Sequence, residues 1–327
     1  MDCSLQGLVE LHNTQMDYAF RSIVDAIVQN SKLNITLIRI SNVTDDSLFV
    51  SIEARVLKTG PASATLSPMT ISLCGPGGSF GQVTLPQIRT SSNGTFLEVS
   101  NQHVHITSVP ALLDFIRPVI SSSRATLSLR EGHTTVRALG IGPREICYEK
   151  DVPLEGMCGP EVHVQSATFA AASSSSITLV LYVANTSPME ISFGTCGFDI
   201  QDRASGTVFA ELKGRLDIRC NGFEATLQGT VVDKRAIVAA AEAFKEDRRE
   251  GNAIRLVGKR CVGAAWCDET VKGIDVPIRN MEKVFNALGM GSEESEKPEV
   301  NQVEESERGN GEKAGGGGGW KSKLWKW

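Results

Sequence analysis

The segment Asp151-Val152-Pro153-Leu154-Glu155-Gly156-Met157 returns later as Asp275-Val276-Pro277-Ile278-Arg279-Asn280-Met281. An upstream set of landmarks keeps step with it: Ile88-Arg89, Asn93-Gly94 and Phe96 are answered by Ile218-Arg219, Asn221-Gly222 and Phe223. Gly94 lies 57 positions before Asp151 and Gly222 lies 53 before Asp275, so one small insertion reconciles two diverged copies of a single unit. A chain of 327 residues also exceeds one ordinary core and suits two units of roughly 120 to 140 residues. Both observations argue against one large enzyme fold.

Within each copy the hydrophobic period is two. Leu48, Val50, Ile52, Ala54 and Val56 alternate with Phe49, Ser51, Glu53, Arg55 and Leu57, which is the pattern of a strand with one buried face. Further strands are expected at 34–40, 65–73, 82–85, 96–106, 125–130 and 134–139, and in the second copy at 162–169, 177–184, 189–200, 207–212, 224–232 and 253–259. One helix is expected in each copy. The first opens after Val109-Pro110 and stops near Pro118; the second is capped by Asp233, with Ile237, Ala240, Ala241 and Phe244 on one face. The expected fold is therefore mainly β, two tandem β-sandwich domains with one supporting helix each.

The organisation reads as an amphipathic N-terminal helix at 1–30, a first sandwich at 31–160 and a second at 161–290. A disordered acidic, glycine-rich linker follows at 291–319, then a Trp/Lys tail at 320–327. The helix rests on Met16, Phe20, Ile23 and Ile27, with Asp17, Arg21 and Asp25 between them. The linker holds eight glutamates against Lys297, Arg308 and Lys313, so most of the net charge of −5 resides there and the folded part is close to balance. No basic stripe or aromatic-basic interleaving suits nucleic acid. No apolar run is long enough to cross a bilayer, and the N-terminus lacks a signal-peptide pattern.

Candidate chemistry is sparse. Eight cysteines contain no CxxC pair, which disfavours zinc; Cys147 with Cys158, or Cys261 with Cys267, could bridge strands, but free thiols are the favoured reading. Gly77-Gly78-Ser79-Phe80-Gly81 matches the nucleophile elbow of serine hydrolases, yet Gln82-Val83-Thr84-Leu85-Pro86 follows as a strand rather than a helix, so a glycine-rich hairpin is favoured. Ser79 thus marks only a remote hydrolase alternative. His103 and His105 share a strand face without an identifiable third ligand, and His133 and His163 have no evident partner. Asp151 and Asp275 are expected to hold a turn. Asn34, Asn42, Asn93 and Asn185 each head an N-x-S/T sequon. No catalytic, cofactor or metal residue is assigned.

The tail is the sharpest signal. On a helix Trp320, Leu324 and Trp327 share a face, with Trp325 beside them and Lys321, Lys323 and Lys326 flanking, a composition suited to a bilayer interface. The lysines would each add roughly 1 kcal/mol at best near an anionic leaflet. A terminus that does nothing is the bland counterpart.

The stretch from Ala19-Phe20-Arg21-Ser22-Ile23-Val24-Asp25 through Ile40-Ser41-Asn42-Val43-Thr44, with Thr59-Gly60-Pro61-Ala62-Ser63-Ala64, Ser67-Pro68-Met69, Thr84-Leu85-Pro86 and the first Asp-Val-Pro motif, resembles a family of uncharacterised fungal proteins. These carry repeated sandwich domains similar to the group 2 late embryogenesis abundant domain. The resemblance implies lipid binding or transfer and no catalytic residues. It also implies an endomembrane setting, since a yeast relative sits in the vacuolar membrane and is linked to ending autophagy. Relatives typically have an N-terminal transmembrane helix, for which this sequence shows no counterpart before Met16, so a cytoplasmic, peripheral location is the alternative. The expected function is a non-enzymatic, membrane-associated, lipid-binding protein without a cofactor; a structural or protein-binding module is the runner-up.

Overall fold

The computed structural model describes residues 30–59, 63–138, 141–170, 175–239 and 254–289, together with Tyr18, Ser22 and Val24. The expected N-terminal helix, linker and Trp/Lys tail lie outside those residues, apart from these three positions. The described chain is mainly β. In the first half the strands are β1 (Lys32–Ser41), β2 (Ser47–Leu57), β3 (Ala64–Leu66), β4 (Met69–Gly75), β5 (Gly78–Leu85), β6 (Ile88–Arg89), β7 (Thr95–His105), β8 (Arg124–Ala138) and β9 (Ile141–Glu155). Helix α1 (Val109–Ser121) stands between β7 and β8. The second half has β10 (Val162–Phe169), β11 (Ser176–Val183), β12 (Met189–Asp202), β13 (Val208–Ile218), β14 (Phe223–Val231), β15 (Ile254–Cys261) and β16 (Asp275–Arg279), with α2 (Ala265–Lys272) and α3 (Glu282–Ala287).

The repeat is visible in the pairing scheme. β1–β2, β2–β7, β4–β5, β4–β8 and β8–β9 in the first half match β10–β11, β11–β14, β12–β13, β12–β15 and β15–β16 in the second, all antiparallel. The Asn-Gly landmarks fall in the turns entering β7 and β14, where Gly94 and Gly222 both take positive φ. A helical segment beginning at Lys234 occupies the place of α1, and the Asp233 carboxylate accepts from the Ala236 amide at 2.9 Å, as expected of its cap.

Two face-to-face sandwiches are not what the sheets form. In the second half β13 also pairs with β14, and β10 runs parallel to β16, so β12-β13-β14-β11-β10-β16-β15 returns to β12 as a barrel-like ring. β1 joins the same sheet alongside the start of β12, in parallel register from Ile38/Met189 to Ile40/Ile191, making it ten-stranded across both halves. The remaining first-half strands form a six-stranded sheet. The apolar faces of both sheets and of α1 share one buried cluster.

Three local expectations are corrected. The Asp-Val-Pro motifs are strands rather than turns: Val152 and Val276 point inward from β9 and β16, and each aspartate binds an arginine on the adjacent strand, Arg130 for Asp151 and Arg255 for Asp275. Most of β9 had no strand signal, because charged residues occupy its solvent face. Pro118 does not end α1. The helix continues to Ser121 because Leu112, Phe115, Ile116, Val119 and Ile120 form an apolar stripe whose burial outweighs one missing N–H.

Candidate ligand cavity

Inward-facing residues alternate most regularly on β11 and β14. Ile177, Leu179, Leu181 and Val183 of β11 and Phe223, Ala225 and Leu227 of β14 alternate with outward-facing neighbours, as in small barrels whose interiors side chains fill. The filling is incomplete. A void of about 40 Å³ remains, reached by Leu181, Leu216, Phe223, Ala225, Leu227 and Leu256, and its lining residues are all apolar. It exceeds the room one water needs, but offers water no hydrogen-bond partner, so physical chemistry leaves it dry.

Residues from the first half cap this cavity. Ile120 at the end of α1, Met157 and Pro160 border it. The cap is held rigidly, because the amides of Gly156, Met157, Cys158 and Gly159 donate to the carbonyls of Ser123, Val119, Ser122 and Ile120 at 2.7–3.1 Å. Those bonds satisfy carbonyls that the end of α1 would otherwise leave without partners. Met157 is the adaptable part, an unbranched side chain able to reshape a pocket wall.

The boundary between the halves is polar and tightly tied. Glu190, nearly buried, accepts from Arg39 Nε at 2.7 Å and Arg219 Nη1 at 3.3 Å. Burial pushes its carboxyl up, but the bond from Arg39, the Cys220 amide and the two guanidinium charges together hold it below the ordinary carboxylate value. Trp266 Nε1 donates to Thr44 O at 3.0 Å, and the Ala265 amide to Asp45 Oδ1 at 2.6 Å. Sequence reasoning missed both the cavity and this seam, because each is assembled from residues far apart in the chain; the only advance signal was the inward alternation of β11 and β14.

The residues singled out from sequence do not converge. Ser79 lies in β5, paired opposite Cys74 in a hairpin turned at Pro76-Gly77, with no helix following. His103 packs edge-on against Phe49, with ring centroids 5.2 Å apart, and His105 is also exposed. His133 lies across from Cys147 on β8 and β9, and His163 is 3.6 Å from Glu161. Among the described residues no group of three or more His, Cys, Asp or Glu is arranged to hold a metal ion. Asn185 is buried while Asn34, Asn42 and Asn93 are exposed. The seven described cysteines are free thiols. The membrane-binding candidates Trp320, Lys321, Lys323, Leu324, Trp325, Lys326 and Trp327 lie outside the described residues. No described helix is long and apolar enough to cross a membrane.

A family model described as "Protein of unknown function (DUF3712)" matches residues 78–200, from β5 into β12 and so across the boundary between the two halves. No curated protein matches the chain. Among solved structures, a bacterial adhesin from Mobiluncus mulieris with intramolecular disulfide, isopeptide and ester cross-links aligns at 8% identity and a TM-score of 0.18, covering 62% of this chain and 77% of that one. The calcium binding domain CBD12 of CALX1.1 aligns at 9% identity and a TM-score of 0.21, covering 76% and 95%. Such scores define no shared fold.

Proposed function

We propose that this protein is a non-enzymatic, membrane-associated binding protein, built from a duplicated β-rich unit, whose second half takes up a slender apolar ligand of the lipid acyl class. The observation that carries the reading is the cavity within the ring, walled entirely by apolar side chains. Pockets for apolar ligands have such walls, and a ligand enters this one by displacing Met157 rather than breaking a polar network. The Trp and Lys residues at 320–327 support membrane contact, and the family resemblance favours an endomembrane surface as the setting.

A second reading, a structural or protein-binding module without a lipid, draws support from the room itself. About 40 Å³ is well below the roughly 150 Å³ that admits a benzene-sized molecule. Incubation of the full chain with phosphatidylcholine vesicles, re-isolation and lipid extraction separates the two. Bound acyl lipid is expected for the native protein and not for Ala225→Trp, which fills the cavity. Absence of lipid from both would establish the second reading. In parallel, flotation with anionic vesicles is expected to drop when Trp320, Trp325 and Trp327 are replaced by alanine, and unchanged flotation would remove the tail from the argument.

A further inference from the structure

Three buried cysteines meet beneath α2. Cys196 of β12 and Cys261 of β15 are directly opposite in antiparallel register. The adjoining pair is closed by the Val262 amide donating to Thr195 O at 2.8 Å, so Cys196 and Cys261 occupy a non-hydrogen-bonded position of the ladder. Partners at such positions approach to about 4.5 Å between Cα atoms, inside the span that disulfides bridge. Cys196 is 1% exposed, Cys261 8% and Cys267, in the first turn of α2, 0%. The Cys261 thiol donates to Phe193 O at 3.1 Å and interacts electrostatically with Cys196 and Cys267. Its place is fixed further by the Cys261 amide, which donates to Asp268 Oδ1 at 2.8 Å.

We propose that Cys196 and Cys261 are a cross-strand disulfide site, with Cys267 a neighbouring thiol that stays reduced. The oxidant is a small-molecule disulfide of the oxidised glutathione type. One cysteine thiolate attacks it, forming a mixed disulfide and expelling one glutathione thiolate. The second cysteine attacks the protein sulfur of that mixed disulfide and expels the other. One protein S–S bond replaces two S–H bonds, the two protons pass to the two expelled thiolates, and the oxidant is reduced to two thiols. Burial raises all three thiols above their ordinary value, so thiolate is scarce in the folded state. The bond therefore forms while β15 and α2 are still undocked.

The test refolds the full chain from denaturant in a buffer of reduced and oxidised glutathione, blocks remaining thiols with iodoacetamide and maps linked peptides by mass spectrometry. A Cys196–Cys261 link is expected, forming at least tenfold more slowly when the reduced, already folded protein is placed in the same buffer. Cys267→Ser is expected to keep the link, whereas Cys196→Ser loses it. The oxidised native chain should also unfold at higher urea than the reduced one, a difference absent from Cys196→Ser. Free thiols at all three positions after refolding, or Cys261 linked to Cys267 or to a surface cysteine, would overturn the assignment. Should a variant fail to fold, the peptide map of the unsubstituted chain decides alone.

Discussion

Asn185 shows how one residue type can carry two meanings. In the sequence it heads a sequon; in the folded protein its Nδ2 donates to Met189 O at 3.0 Å and Arg219 O at 2.8 Å, while its Oδ1 accepts from the Ser187 amide and hydroxyl. The side chain thus links the β11–β12 loop to the end of β13 through bonds that are buried or half-buried. Asn185→Ala is expected to lower stability by about 3 kcal/mol, since it strands two carbonyls and two donors, and a urea titration followed by far-ultraviolet circular dichroism would measure it. Asn185→Asp should fare worse still, because a carboxylate oxygen would face two carbonyl oxygens. A sequence cannot show this. Whether an asparagine is turn, acceptor or core depends on which distant carbonyls surround it.

At the scale of elements, patterning did most of the work. Alternation located β1, β2, β7, β10, β11 and β14 nearly to their ends, because strands with one wet and one dry face write their period into the chain. It was silent where another rule prevails. β9 carries charges and two prolines along its outer edge, and α2 has too weak an apolar stripe to announce itself. α2 exists because Trp266, Cys267 and Val271 pack onto β15, and that packing needs Gly258: a Cβ there would sit 1.8 Å from Val271 O. Gly258→Ala is therefore expected to cost more than about 2 kcal/mol or to lift α2 from the sheet. Loss of the near-ultraviolet signal of Trp266 at unchanged far-ultraviolet signal would report the second outcome.

At the scale of the whole molecule, the seam between the halves governs behaviour in acid. Glu190 at the seam, and Asp151 and Asp202 elsewhere, have folded-state values below the ordinary 4.5 for Glu and 3.8 for Asp. A carboxylate depressed on folding stabilises the protein above its unfolded value and loses that contribution as pH falls through the folded one. Stability should hold level from pH 7 to 5 with respect to these groups and decline below about pH 4.5, as urea midpoints across a pH series would show. Glu190→Gln should flatten part of that decline while lowering stability at pH 7. The sequence by itself determined that the chain is β-rich and duplicated, because period and repetition are properties of neighbouring residues. Only the tertiary structure decided that the second copy closes into a ring, that β1 extends its sheet, and that a cavity and three thiols lie inside. Those outcomes depend on strand order and on contacts between residues more than sixty positions apart, which no local pattern encodes.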